Sequence, residues 1–226
     1  MPARVGVVVF PGTNCEHDTV LAFEGLGAEA VLVWHTARDL DAFDAVVLPG
    51  GFAYGDYLRP GALARFSPVM EAVSRFAAAG GPVVGICNGF QVLTEAGLLP
   101  GALVKNKGLR FVCAPCTVRV DSTASVLTRE VPLGTELSIP INHFSGSYVC
   151  DSAVLDEVAA RGGIVLRYVA NPNGSVDDIA GVANAAGNVV GLMPHPERAS
   201  SELLGSADGL VLLRSVLAAA GGERAA

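Results

Sequence analysis

Three stretches of this chain are almost wholly apolar, and each runs straight into a glycine-containing turn. Arg4 to Phe10 continues into Pro11-Gly12-Thr13-Asn14, Asp44 to Leu48 into Pro49-Gly50-Gly51, and Pro82 to Ile86 into Cys87-Asn88-Gly89. A strand with one face in water alternates polar and apolar residues; strands as uniformly apolar as these are covered on both faces, as in a parallel sheet between helices. The segments between them have helical spacing. Cys15 to Gly27 places Val20, Leu21, Phe23 and Leu26 on one stripe, with Gly27 as its stop. Pro60 to Ala79 reads as mostly helical, and Asn88 to Ala96 as a short helix stopped by Gly97. With Ala30 to Trp34 as a further strand, the order is β-α-β, which predicts an α/β fold built on an open, mostly parallel sheet flanked by helices.

The second half has a different grammar. Leu109 to Val120, Glu136 to Ile141, Ile164 to Val169 and Ile179 to Met193 read as strands in succession, the last folded at a hairpin turn over 183–188. Val154 to Ala160 is helical, Ser201 to Ala220 is expected to close the chain as a helix, and Gly221 to Ala226 to fray. With no linker, repeat or low-complexity block, residues 1–226 read as one domain with an antiparallel extension.

Composition removes several classes. Hydrophobic residues at 51% and charged residues at 16% are the reverse of a disordered chain. A net charge of −7 without a Lys/Arg run is a poor match to nucleic-acid phosphates. The mean hydropathy of +0.47 raises the question of a membrane, but no apolar run approaches the ~18 residues a span needs. The best, Leu210 to Ala220, contains Arg214. The first residues lack the pattern of a secretory leader, so a cytoplasmic protein is expected. Five cysteines, at 15, 87, 113, 116 and 150, are an odd number and not a disulfide framework. Cys113 and Cys116 form a lone Cys-Ala-Pro-Cys in extended chain, whereas a redox pair opens a helix and a zinc site needs two more ligands. They read as incidental thiols.

Chemistry concentrates in Gly85-Ile86-Cys87-Asn88-Gly89, at the junction of a buried strand and a helix. That is the context of a nucleophile elbow with cysteine in the place of serine. The helix N-terminus favours a thiolate there, and the Asn88 amide is placed as an oxyanion donor. The plain alternative is a buried cysteine in a tight turn. A thiol nucleophile needs a base, and the base needs orienting. Of the histidines at 17, 35, 143 and 195, His195 is framed by Pro194 and Pro196, which restrict its backbone, and is followed by Glu197, a carboxylate able to fix its tautomer. His17 and His35 read as surface or capping residues. Pro49-Gly50-Gly51 ends a parallel strand, at the edge where open α/β sheets hold ligands, and Gly51 is the candidate second oxyanion donor. No Gly-x-Gly-x-x-Gly follows either strand, which sets aside a dinucleotide loop.

These motifs together resemble the class I glutamine amidotransferases: Gly-Ile-Cys-Asn-Gly-Phe-Gln at 85–91 and Met-Pro-His-Pro-Glu at 193–197. Pro-Gly-Thr-Asn-Cys at 11–15 and Pro-Gly-Gly-Phe-Ala-Tyr-Gly-Asp-Tyr-Leu-Arg at 49–59 narrow the resemblance to the glutaminase subunits of purine biosynthesis. The resemblance implies a flavodoxin-like fold and a Cys87, His195 and Glu197 triad that hydrolyses glutamine through a thioester. It implies ammonia delivered to a large synthetase subunit, which converts formylglycinamide ribonucleotide to the amidine, with a small accessory subunit alongside. ATP and magnesium are expected on the synthetase and no cofactor or metal on this chain, which has no P-loop pattern. Gln91 matches a glutamine-contacting position, with a helix-surface role as its alternative. Relatives often carry a His-Gly-Glu-Gly-type loop where this chain has Ile141-Asn142-His143-Phe144-Ser145-Gly146-Ser147-Tyr148, which keeps the histidine but not the glutamate or a glycine; the Asn142-His143-Phe144 run still resembles the glutamine-binding loop of other class I members, which implies Asn142, His143 and Phe144 as a substrate wall. Phe52, Tyr54, Tyr57 and Leu58 read as local packing or a docking surface.

Two other readings share these residues. Stand-alone peptidases, deglycases and chaperones also carry an elbow cysteine, but do not need a late His-x-Glu. A noncatalytic partner-binding module would not need Cys87, His195 and Glu197 intact.

Overall fold

The computed structural model describes residues 1–221; the expected fraying from 222 onward lies outside the described residues. The first half runs β1 (Arg4–Val9), α1 (Glu16–Glu24), β2 (Glu29–Trp34), β3 (Ala45–Leu48), α2 (Pro68–Ala78), β4 (Val83–Ile86) and α3 (Asn88–Glu95). The second runs β5 (Ala102–Val104), β6 (Val112–Val120), β7 (Glu136–His143), β8 (Ser147–Val149), α4 (Ser152–Ala160), β9 (Ile164–Tyr168), β10 (Ile179–Ala183), β11 (Val189–Leu192) and α5 (Gly209–Ala220). Nine strands form one sheet in the order β2-β1-β3-β4-β11-β10-β9-β6-β7. All residues of β3, β4, β10 and β11 are buried, which is why their sequences lack polar alternation.

Strand directions divide the sheet. The pairs β1–β2, β1–β3, β3–β4 and β4–β11 are parallel; the remaining four are antiparallel. The connections leave β1 and β3 in opposite directions, which makes the gap beyond their C-terminal ends a topological switch point. Late in the chain, β11 returns to the parallel half and runs beside β4 from Val189↔Val83 to Leu192↔Ile86. The register brings the C-terminal ends of β3, β4 and β11 to one edge. Gly51, Cys87 and His195 follow those three ends.

Several boundaries differ from the sequence reading. The segment expected as helix from Pro60 is turns and a short 3-10 turn (Ala64–Phe66) until Pro68. Pro68 starts α2 because a proline lacks the N–H that the first helical position does not use. The closing helix starts at Gly209 rather than Ser201, since Gly205 takes a left-handed conformation (φ 96°) that breaks the preceding turn. Leu109 to Phe111 fall outside β6, with Leu109 also left-handed (φ 50°). The short strands β5 and β8 pair only with each other. On β6, Cys113 and Cys116 are an odd number of residues apart, so they point to opposite faces and cannot chelate together. Among the described residues no helix is long and apolar enough to cross a membrane.

Candidate active site

The Cys87 backbone is the most constrained point of the site. It links β4 to α3 at φ 50° and ψ −104°, a conformation that ordinary residues rarely hold and that costs of order 1–3 kcal/mol. The flanking glycines make it possible by contact. A Cβ on Gly89 would lie 1.9 Å from the Leu48 carbonyl oxygen, and one on Gly85 would lie 2.6 Å from Leu93 Cδ1. The first turn of α3 therefore rests directly on the end of β3. The Cys87 amide donates to Leu192 O at 2.8 Å, tying the turn to β11. The Cys87 thiol is buried at 5% exposure, and its hydrogen-bond acceptor is the Asn142 carbonyl at 3.8 Å.

His195 lies beyond the end of β11, its amide donating to Pro140 O of β7 at 2.8 Å. Pro196 then opens a 3-10 turn (Pro196–Arg198) that swings Glu197 back beneath the ring. Nδ1 of His195 and Oε1 of Glu197 are 2.6 Å apart, and both residues are 1% exposed. Nε2 has no hydrogen-bond partner within the described protein, so one ring nitrogen is oriented and the other is left for a reacting proton. Burial alone pushes the imidazole pKa down. The Glu197 carboxylate, Cys87 and Cys15 outweigh it and hold the ring well above its ordinary range.

Cys15 is a neighbour that sequence reasoning did not place here. It precedes α1 and is 2% exposed, and its sulfur accepts from Arg198 Nη2 at 3.2 Å. Arg198 also donates from Nε to Asp18 at 3.1 Å. The Cys15 sulfur, His195 and Glu197 place one ligand-type atom each within 4.8 Å of one another. The fixed guanidinium charge on that sulfur opposes a metal ion there. Gly50 makes the packing possible, since a Cβ would sit 2.7 Å from His195 Cε1 and 3.0 Å from the Cys15 sulfur.

The loop after β3 supplies the second expected oxyanion donor. Gly51 sits at φ 149°, and a Cβ would lie 2.7 Å from the Asn14 amide nitrogen. The amides of Gly51 and Asn88 donate to no group among the described residues. The Asn88 side chain holds the two segments together. Its Oδ1 accepts from the Ala53 amide at 3.0 Å, and its Nδ2 donates to Gln91 Oε1 at 2.8 Å and Asp56 Oδ1 at 3.4 Å.

A cavity of about 420 Å³ opens beside Cys87. Gly51, Gln91, Asn142, His143 and Phe144 line it, as do Asp56 and Lys105, which the sequence reading did not select. His195 and Glu197 are buried outside this lining. Gln91 is buried rather than on a helix surface, its Nε2 donating to Ser145 O. His143 is also buried, with Nδ1 against Asn106 Oδ1 at 3.1 Å. Burial, reinforced by the nearby His195, lowers its pKa to about 4. Asn106 also accepts from the Gly146 amide and donates to the His143 carbonyl, so it pins the wall over 143–146. His17 is exposed, and His35 is hydrogen-bonded to Tyr54 at 3.0 Å, outside the lining. Phe52 and Leu58 are exposed at the cavity's lining, and Tyr57, also exposed, is not part of it.

Comparison with known proteins identifies the family. Residues 2–207 match the model of the CobB/CobQ-like glutamine amidotransferase domain. A phosphoribosylformylglycinamidine synthase subunit PurQ from Rubrobacter xylanophilus is 59% identical, covering 96% of this chain and 99% of its own. One from Koribacter versatilis is 50% identical over 96% and 98%. A chain in the structure of PurLQS from Thermotoga maritima superposes with a TM-score of 0.89 at 43% identity, covering 96% of this chain and 99% of that one.

Proposed function

The chain belongs to the CobB/CobQ-like glutamine amidotransferase domain family, and from that premise we propose that it is the glutaminase subunit of a phosphoribosylformylglycinamidine synthase, one amidotransferase unit throughout. It is a glutamine amidotransferase. The observation that carries the reading is the meeting, at one sheet edge, of an elbow cysteine, a buried His195–Glu197 pair 2.6 Å apart and two unengaged amides beside a cavity.

The reaction follows from these parts. Cys87 sulfur attacks the side-chain carbonyl carbon of glutamine while its proton passes to His195. The oxygen that becomes negative is held by the amides of Gly51 and Asn88. His195 returns the proton to the amide nitrogen, which leaves as ammonia, and a thioester remains on Cys87. Water, deprotonated by His195, opens the thioester to glutamate. Glu197 keeps Nδ1 protonated and stabilises the imidazolium formed in both halves. Cys87 takes the nucleophile's role rather than Cys15 because it lines the cavity, whereas the Cys15 sulfur is committed to Arg198.

Ammonia passes to a synthetase partner that holds ATP and magnesium and forms the amidine of formylglycinamide ribonucleotide; a small third subunit completes the complex. This places the work in the cytoplasm, and no cofactor on this chain is required. Gln91, Asn142, His143 and Phe144 form the glutamine wall. The test is amidine formation by the chain with its synthetase and accessory subunits, ATP, magnesium and formylglycinamide ribonucleotide. Cys87→Ala is expected to abolish the glutamine-supported reaction and leave the reaction supported by ammonium salt intact. Retained glutamine dependence in Cys87→Ala would remove Cys87 as nucleophile.

A further inference from the structure

Resting on the glutaminase reading, we propose that Cys15 and Arg198 are positioning residues for His195: the guanidinium holds the Cys15 sulfur against the imidazole, and the sulfur keeps Nε2 facing the elbow. The Pro11-Gly12-Thr13-Asn14-Cys15 turn follows the end of β1, and no step of the reaction uses it. A single hydrogen bond, between Nδ1 and Glu197 Oε1 at 2.6 Å, orients the ring. One bond tolerates tilting, because hydrogen-bond angles are broadly distributed. A second restraint lies at the Cε1 edge. The place a Gly50 Cβ would take is 2.7 Å from His195 Cε1 and 3.0 Å from the Cys15 sulfur, so ring and sulfur press against the same glycine. Ligand-type atoms of Cys15, His195 and Glu197 all lie within 4.8 Å of one another, which puts the sulfur beside the imidazole and its carboxylate.

The sulfur is itself held from every side. The Cys15 amide donates to the Gly50 carbonyl at 3.2 Å, and its carbonyl accepts from the Thr19 hydroxyl at 2.8 Å. A thiol has one hydrogen to give and lone pairs to accept with, and both functions are in use. The sulfur donates to Asn14 Oδ1 and accepts from Arg198 Nη2, each at 3.2 Å. Arg198 is anchored in turn to α1, its Nε donating to Asp18 Oδ2 at 3.1 Å. It belongs to the same 3-10 turn as Glu197. One guanidinium therefore ties the turn that bears the carboxylate to the helix start that bears the sulfur, and those two groups border the imidazole. The 11–15 turn also braces the proposed oxyanion loop, since Thr13 bridges Gly51 and the Phe52 amide donates to Gly12 O at 2.9 Å.

The experiment measures kcat and KM for ammonia release from glutamine by the chain in its assembled complex. The variants are Cys15→Ala, Cys15→Ser, Arg198→Met and the double substitution Cys15→Ala with Arg198→Met. Cys15→Ala and Arg198→Met break one contact from its two ends. Each is expected to lower kcat by about 10- to 100-fold, the scale of a misplacement near 1 Å at reacting groups, with KM within about 2-fold. The double substitution is expected to cost no more than the larger single loss, because the contact is lost only once. Cys15→Ser offers a hydroxyl that donates to Asn14 and accepts from Arg198, and is expected to bring kcat back to within about 5-fold of wild type. Losses that multiply in the double variant would show that the two residues act separately. Unchanged kcat, a rise in KM alone, or an equal loss in Cys15→Ser and Cys15→Ala would show that the contact does not place the base; each of these overturns the proposal. Arg198 is partly exposed, so Arg198→Met set against Cys15→Ser still decides the matter should Cys15→Ala fail to fold. Absence of ammonia from glutamine with the wild-type complex overturns the glutaminase reading itself, and the positioning role with it.

Discussion

Gly89→Ala is the sharpest test of the idea that the site is assembled by contact between α3 and the end of β3. The added methyl would lie 1.9 Å from the Leu48 carbonyl oxygen, where no real carbon approaches closer than about 3 Å, so α3 and β3 must separate by about 1 Å. Both donors of the proposed oxyanion hole ride on these elements: Asn88 is the first residue of α3, and Gly51 lies three residues beyond Leu48. Overpacking of this kind costs ~1–3 kcal/mol. In a domain of this size each kcal/mol lowers Tm by about 2–4 °C, so a fall of about 2–12 °C is expected. Catalysis suffers more, because a misplacement of about 1 Å at reacting groups costs on the order of 10²-fold. The control is Gly97→Ala, at φ 71° with nothing within 4 Å of the added methyl. There the backbone strain costs ~1–2 kcal/mol and ammonia release is unchanged. The assays are thermal unfolding of the chain and glutamine-dependent ammonia release by the complex. A Gly89→Ala protein with wild-type Tm and wild-type turnover would refute the contact argument.

Two further perturbations probe the buried histidines. Glu197→Gln keeps an acceptor for His195 Nδ1 but removes the charge. The His195 pKa is expected to fall in an NMR titration, and kcat to drop about 10- to 10³-fold with KM within a few-fold; an unmoved titration would end the coupling argument. His143 has a depressed pKa, so its contribution to stability is present above the unfolded value of 6.5 and is lost as the pH falls toward about 4. From pH 7 to pH 4 the wild type is expected to lose up to about 3 kcal/mol more than His143→Gln, by denaturant unfolding at each pH; parallel losses would show that the proton enters elsewhere.

The parallel half of the fold was legible because each strand is buried on both faces and so writes itself as an unbroken apolar run. The helices were legible in kind but not in extent. Pro60 looked like a helix start, yet Pro68 is the residue that occupies that position, because the helix begins only where Ser67 stands in extended backbone ahead of it. Ser201 to Asp208 breaks at the left-handed Gly205, and its end is held by a non-local bond: the Asp208 carboxylate accepts from the Ser138 amide, 70 residues away. No local pattern reports such a bond. The same holds for β11. A hairpin was readable from its turn, but the register against β4, which sets His195 level with Cys87, is a property of the sheet.

The site divides along the same line. Cys87, His195 and Glu197 were legible because each sits in a short motif whose own backbone restricts it: glycines around the thiol, prolines around the imidazole. Gly51 and Asn88 followed from the strand ends that carry them. Asp56, Arg198, Cys15 and Asn106 were not, since each acquires its place through a partner distant in sequence. Arg198 reaches Asp18 across 180 residues and Cys15 across 183, and Asn106 reaches His143 across 37. One consequence is that the proposed triad and its support respond differently to change. A substitution in the motifs alters the reacting atoms directly. A substitution at Arg198 or Cys15 acts through the packing and charge around a ring that is 1% exposed, where a single unbalanced charge has no solvent to screen it. The pairing of Arg198 with Asp18 compensates that guanidinium, so it does not oppose the positive charge that Glu197 favours on the neighbouring His195 ring.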